Sequence, residues 1–429
     1  MRCYFLLLLL PIQADLLAQS LDPQNSRGAV IKDVCKKLEK YYTFPDVGAA
    51  MSRTIQDNYK KGRYAPQVAI EEFLEKLNAD LFNVGRDNHL KLLWDPEAAK
   101  DLKESGQEGA AVSDIESERW RNFGFKGLEV LDGNVGYLNL TDFGPVEYGG
   151  ERAAAAMNYF ADCRALIIDL RQNGGGNDDM VMFLASYFID SHEPVVVKIS
   201  YSTIENVYYS STIQAYVPGK KFTDRPVYIL TSAATASAAE AFITIMTHFR
   251  QDVTLVGQKT RGAENPVAHL AVGEGFVLRL PCWRQIYSLI STKWEGIGIT
   301  PHFVTAADHA LRKAHYDALK KLSGRSQNKD DLAKNQWAMD GIKPFLEPVS
   351  VEEEILKSYE GLYGNIDVRF ENGVLRYGRD KQRLIPISET YFLVESADYL
   401  RVKFIVENGR VNSLERVFVY GYSTRHARK

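Results

Sequence analysis

The sequence predicts an α/β protein, with a central sheet of substantial parallel character, a small helical domain before it and a small antiparallel β module after it. Three observations carry this. Short apolar runs, NVGYLNL at 134–140, ALIIDL at 165–170, PVYIL at 226–230 and VTLVG at 253–257, alternate with helical stretches around 149–160, 178–190 and 238–249. Buried apolar strands alternating with helices indicate a sheet with parallel neighbours. Upstream, Val30, Ile31, Val34, Leu38 and Tyr41, then Ile70, Phe73, Leu74, Leu77 and Leu81, recur at helical spacing. Downstream, YGNIDVRFENGVLRYG and RVKFIVENGRVNSLERVFVYG alternate apolar with polar residues around Asn372-Gly373 and Asn408-Gly409, a strong hairpin signal.

Taken in order, residues 1–19 read as a secretory signal peptide. Arg2 precedes the apolar run Tyr4–Ile12, and small Ala18 follows; the run is too short to span a bilayer comfortably. The expected location is secreted or periplasmic, with cell-surface association open, and no integral span after cleavage. Residues 20–96 form the helical domain. Residues 97–119 are polar and small and read as a linker. The α/β core occupies 120–310, a helix and a polar linker containing SGRSQNKDDLAKN occupy 311–348, and the β module occupies 349–429.

Composition bounds the function. Hydrophobic residues at 45% and charged residues at 25% are ordinary for a globular chain. With 52 basic against 55 acidic side chains and no long basic block, nucleic-acid binding is disfavoured. Signal cleavage leaves Cys35, Cys163 and Cys282, without C-x-x-C pairing or metal-ligand spacing, so buried thiols are expected rather than a disulfide framework.

Two stretches carry candidate chemistry. In ALIIDLRQNGGGNDDM, a strand ends at Asp169-Leu170-Arg171 and three glycines, Gly174 to Gly176, precede a helix. Such a turn points backbone N–H groups at a ligand or simply needs positive φ; on local grounds the two readings are level. It lacks a nucleotide-binding context, and Asp178 and Asp179 read as helix openers rather than metal ligands. In TSAATASAAE, at 231–240, four hydroxyls sit among small residues. Ser237 stands at the helix start, where the next N–H could hold an oxyanion; locally the better reading is a capping box, with Glu240 as its third helical residue. A serine nucleophile needs a base. Of eight histidines, His89 in VGRDNHLKLLWDP follows a turn and opens an alternating run, which suits presentation into a cleft.

Four segments in order, IIDLRQNGGG, LTSAATASAAEAF, LVGQKTRG and WEGIGITPHF, resemble the peptidase core of the carboxyl-terminal-processing (tail-specific) peptidases, tricorn protease and interphotoreceptor retinoid-binding protein. The resemblance covers roughly 120–310, and residues 30–95 look like the helical segment of the retinoid-binding-protein-like branch. It implies a crotonase-like core with a mixed sheet and a serine-type peptidase without metal or organic cofactor, acting on peptide or protein substrates. The lysine of the Ser/Lys branch is missing, since its T-x-G-K motif reads Thr260-Arg261-Gly262-Ala263, and there is no room between the N-terminal region and the core for the PDZ domain usual in that branch. The tricorn-like branch fits better: GRDNH places the base at His89, and WEGIGITP places the orienting carboxylate at Glu295. Asn88 departs from the serine of that pattern. Ser237 is then the nucleophile, and the oxyanion hole falls to Ala238 with Gly175 or Gly176. The β module looks like the small domain appended to secreted bacterial hydrolases, for docking or packing. A competing reading is a weak or inactive peptidase fold that binds peptides or hydrophobic small molecules; an ester substrate is a third.

Overall fold

The computed structural model describes residues 27–65, 67–105, 115–290 and 294–429. The segment expected as a signal peptide, 1–19, lies outside them. Among the described residues no helix is long and apolar enough to cross a membrane. Two compact units emerge, one drawing on Met1–Ser117, Val196–Thr212 and Gly262–Ile297, the other on Glu118–Val195, Ile213–Arg261 and Gly298–Lys429. The stretch expected as one core over 120–310 is therefore shared between two units, because some of its strands pair with N-terminal segments.

In the first unit, helices Arg27–Tyr41, Pro45–Lys60 and Ile70–Gly85 lead into strand Lys91–Trp94. That strand pairs antiparallel with Phe276–Pro281, which pairs antiparallel with Val267–Val272. The helical stripes read from the sequence supply Val30, Val34, Leu38, Phe73, Leu77 and Leu81, all buried in one cluster with Leu270, Leu278 and Cys282 of the later strands. Of residues 97–119, expected as a linker, 97–105 and 115–119 lie instead in helices Pro96–Ser105 and Ile115–Trp120, while 106–114 lie outside the described residues. The first has a narrow apolar stripe: among its described side chains only Ala99 and Leu102 are buried, against Ala271 and Val277, so its sequence reads as polar. Strand Trp283–Ser288 pairs antiparallel with Val195–Ser202, with Val207–Ile213 on the other side.

The second unit is built on a six-stranded mixed sheet. Phe303–Val304, Val253–Gly257, Val227–Thr231, Ala165–Asp169 and Val135–Leu140 are parallel neighbours in that order, and Phe125–Leu131 closes the sheet antiparallel. Its three central strands are buried along their whole length, which is why they read as unbroken apolar runs. Helices Val146–Tyr159, Asp178–Ser186 and Ala238–Phe249 lie where the sequence predicts helices, the second stopping four residues short. The segment expected as helix and linker over 311–348 is two helices, Ala310–Arg325 and Lys329–Leu346. Asn328 starts the second by accepting the Asp330 N–H at 2.8 Å and the Asp331 N–H at 3.3 Å, an N-cap inside a stretch whose polarity suggests a loop. Ala310, Ala314 and Ala318 pack with Ala165, Ile167, Tyr228 and Leu230 of the sheet. Cys35, Cys163 and Cys282 are buried and unbridged.

From 361 to 427 eight strands follow one another as an antiparallel meander. Both predicted Asn-Gly hairpins form, with φ of 52° and 80° at Asn372-Gly373 and 52° and 74° at Asn408-Gly409, the all-positive pattern of a type I′ turn. Phe404 stacks on Tyr359 at a centroid distance of 4.2 Å inside a core with Val368, Phe392, Val402 and Leu414. Replacing Phe404 by Ala should lower the stability of this module by about 3–5 kcal/mol, read as a shift in its denaturation midpoint.

Candidate active site

Strand Val227–Thr231 turns into helix Ala238–Phe249 through the four-hydroxyl stretch, and three of the hydroxyls hold the turn. Thr231 Oγ1 donates to the Gln258 carbonyl at 2.7 Å, Ser232 Oγ to the Arg171 carbonyl at 2.5 Å, and Thr235 Oγ1 to the Leu170 carbonyl at 2.7 Å. Ser237 differs in its backbone. Its φ is 55° and ψ is −121°, whereas an ordinary N-cap takes extended dihedrals. A non-glycine residue there carries strain of about 1–3 kcal/mol, a condition that concentrates at functional sites, and a sharp, strained strand-to-helix turn is the way a nucleophilic serine is presented in other hydrolase folds.

The strain is held from the inside. The Ser237 N–H donates to Glu240 Oε2 at 3.0 Å, and Thr260 Oγ1 donates to Glu240 Oε1. Thr260 Oγ1 accepts the Ile299 N–H at 2.7 Å, and the Thr260 N–H donates to the Ile299 carbonyl at 3.1 Å. Glu240 has no exposed surface.

The glycine turn lies against the serine. Gly175 and Gly176 have φ of 120° and 128°, conformations that favour glycine. A Cβ on Gly175 would fall 2.8 Å from the Ser237 Cβ and 3.1 Å from the Ala238 nitrogen. Asn173, fully buried, ties the two turns: its carbonyl accepts the Ala236 N–H at 3.2 Å, its Oδ1 accepts the Gly175 N–H at 2.9 Å, and its Nδ2 donates to the Leu140 carbonyl at 3.0 Å. The two glycines expected from the sequence are thereby distinguished. Gly175 gives its N–H to Asn173, whereas the Gly176 N–H has no protein acceptor among the described residues. Ala238 opens its helix, so its N–H has no intrahelical acceptor.

In the first unit, helix Ile70–Gly85 ends at Arg86 with φ 51°, and the chain turns to deliver His89 at 6% exposure. Asp87 shapes that turn by accepting the His89 N–H at 2.9 Å on Oδ1, while Oδ2 accepts Tyr42 Oη–H and Asn265 Nδ2–H, each at 3.1 Å. Glu295 accepts the Asn88 N–H at 3.2 Å on Oε1, and the Glu264 and Asn265 N–H groups at 2.6 and 3.3 Å on Oε2. One nitrogen or carboxylate oxygen from each of Asp87, His89 and Glu295 lies within 4.8 Å of the other two. His89 and Glu295, paired on the strength of a resemblance, are thus neighbours. Asp87 and Asn265 were missed, although Asp87, two residues ahead of His89, has the spacing of a side chain that bonds the backbone two residues on. Burial is the largest influence on both carboxyls and raises them above the usual carboxylate range; backbone N–H donors pull the other way. The trio has enough donors for a metal, but all four carboxylate oxygens already accept N–H or O–H groups, which suits orienting a ring better than ligating a cation.

Comparison with known proteins follows the same motifs. Residues 134–305 match peptidase family S41, and residues 21–121 match the N-terminal domain of peptidase S41 in eukaryotic IRBP. The segment 134–305 thus carries the peptidase S41 core, preceded by a segment matching that family's N-terminal domain. A probable CtpA-like serine protease of Staphylococcus saprophyticus is 30% identical over 209 residues, 48% of this chain and 40% of the relative; the chain thus spans less than half of that relative's length. A putative peptidase from Parabacteroides merdae aligns at a TM-score of 0.43 and 19% identity over 65% of this chain and 89% of that one. The tricorn protease aligns at 0.42 and 11% over 68% of this chain and 35% of that one.

Asp142 adjoins the glycine turn, its Oδ1 lying 2.5 Å from where a Gly176 Cβ would sit. Burial, reinforced by Glu118 and opposed by Arg121, pushes its carboxyl up to about 6. A carboxyl raised on folding stabilises the fold below its unfolded value, and that contribution is lost as pH climbs through the folded one. Between pH 4 and 7, Asp142→Asn should therefore gain on the wild type by on the order of 2 kcal/mol, measured by chemical denaturation at both pH values.

Proposed function

We propose that this protein is an exported serine-type peptidase that hydrolyses peptide bonds through an acyl-enzyme on Ser237, with His89 as base and Glu295 as its orienting carboxylate. The observation that carries the reading is the Ser237 backbone, at φ 55° on a strand-to-helix turn, while the neighbouring hydroxyls are tied to main-chain carbonyls. The match of residues 134–305 to family S41 and the similarity to a CtpA-like serine protease support the same chemistry. Export rests on the residue 1–19 pattern.

In this mechanism Ser237 Oγ bonds to the substrate carbonyl carbon as its proton passes to a ring nitrogen of His89. The oxyanion takes hydrogen bonds from the Ala238 and Gly176 N–H groups. Collapse breaks the C–N bond, the ring proton goes to the leaving amine, and water, deprotonated by the same ring, releases the acid and restores Ser237. Glu295, fixed by three main-chain N–H groups, holds the imidazole in one tautomer, with Asp87 shaping the backbone beneath it.

Ser237→Ala should abolish labelling by a fluorophosphonate probe and lower peptide hydrolysis by at least about a thousandfold; a variant that still labels at full strength would falsify the assignment. Gly175→Ala, which places a methyl 2.8 Å from the Ser237 Cβ, should slow labelling at least about tenfold, compared by single-turnover rates on folded protein. The N-terminal match to the domain found in IRBP favours a second reading, a binding protein on a peptidase fold. Binding of retinol or fatty acid without casein hydrolysis would select it.

A further inference from the structure

Thr260, in the segment Thr260-Arg261-Gly262-Ala263, makes side-chain bonds that involve no lysine. We propose that Glu240 and Thr260 are positioning residues for Ser237, joined in a hydrogen-bonded chain that holds the serine's backbone in its strained conformation. The inference rests on the reading of Ser237 as nucleophile.

In an isolated capping box, the glutamate sits on the first helical turn and bonds back to the cap. Here Glu240 is completely buried and Thr260 is 5% exposed, so each polar atom must find a partner inside the protein. Glu240 divides its oxygens, Oε2 to the Ser237 N–H and Oε1 to the Thr260 hydroxyl. The hydroxyl is fixed in turn by the Ile299 N–H. Gly298, at φ 78°, permits that approach, since a Cβ there would fall 2.2 Å from the Thr260 carbonyl oxygen. Thr260 and Ile299 exchange both main-chain and side-chain bonds, so the loop after strand Val253–Gly257 is fastened before it reaches the glutamate. The acceptor on Ser237 is thus anchored on two elements rather than one. Rotation of the Ser237 peptide toward relaxed dihedrals would break the bond between its N–H and a buried carboxylate oxygen.

Four full-length proteins test this: wild type, Thr260→Ser, Thr260→Val and Glu240→Gln. Each is read for its fluorophosphonate labelling rate, kcat and KM on a peptide substrate, and its thermal unfolding. Thr260→Val removes the hydroxyl, and Thr260→Ser restores it. Labelling rate and kcat should drop about 10- to 100-fold in Thr260→Val and Glu240→Gln, with KM within about threefold because the substrate's own contacts remain. Thr260→Ser should recover most of that loss. If Thr260→Val does not fold, Glu240→Gln, which keeps the side chain's shape and one acceptor oxygen, makes the same comparison. Wild-type rates in folded Thr260→Val or Glu240→Gln would overturn the proposal, as would a Thr260→Ser protein no faster than Thr260→Val. Failure of the underlying reading looks different: Ser237→Ala would retain the label, whatever the positioning variants do.

Discussion

The backbone of Ser237, fixed at φ 55° between strand Val227–Thr231 and helix Ala238–Phe249, is the constraint on which the neighbouring loops depend. Three adjacent parallel strands send their C-terminal loops to it. Ala165–Asp169 leads to Asn173 and Gly175, Val227–Thr231 to the serine itself, and Val253–Gly257 to Thr260. Ligand sites of open α/β sheets gather outside the carboxyl ends of their strands, and here that end of the sheet also maintains the strain. Asn173 secures the glycine turn, the missing Cβ of Gly175 leaves the space Ser237 occupies, and Glu240 receives the serine's amide.

Main-chain amides are the common currency of both groups of residues. Glu240 takes one from Ser237, Asp87 one from His89, and Glu295 three from the 88 and 264–265 segments. Fixing a carboxylate by backbone donors leaves little rotational freedom to lose during a reaction, the essence of preorganisation. The compensation at Asp87 and Glu295 is incomplete, since burial still lifts both above the usual range. In the proposed mechanism, positive charge developing on the His89 ring would meet negative charge that the surrounding amides have not fully offset.

Much of the second unit was legible in the sequence because its strands are buried on both faces and bounded by turn residues. The helix at Ala238–Phe249 and both Asn-Gly hairpins fall where local pattern places them. Sequence failed where burial is one-sided or partial. Helix Pro96–Ser105 hides only Ala99 and Leu102, and Lys329–Leu346 begins in a run of polar residues whose Asn328 is a cap rather than a loop residue. At the candidate site, local pattern offered a capping box and a glycine turn. Its place at the helix start separated Ser237 from its three fellow hydroxyls, but only the ordered set of motifs raised it from a cap to a candidate nucleophile, and the positive φ that sets it apart physically leaves no trace in composition. Asn173 and Asn265 escaped notice, and Thr260 was read only as part of a motif without its lysine, because their importance lies in partners far along the chain.

The first unit's core joins residues of 30–92 to residues of 268–282, and this orders events during synthesis. The stripes of helices Arg27–Tyr41 and Ile70–Gly85 lack the cover of strands Val267–Val272 and Phe276–Pro281 until those have been made. During that interval the ribosome extends the chain by nearly two hundred residues, including the central strands of the other unit. Bringing such distant segments together is entropically expensive and slow. The N-terminal helices are therefore the earliest part of the described chain to be made, yet their final packing waits for strand Phe276–Pro281.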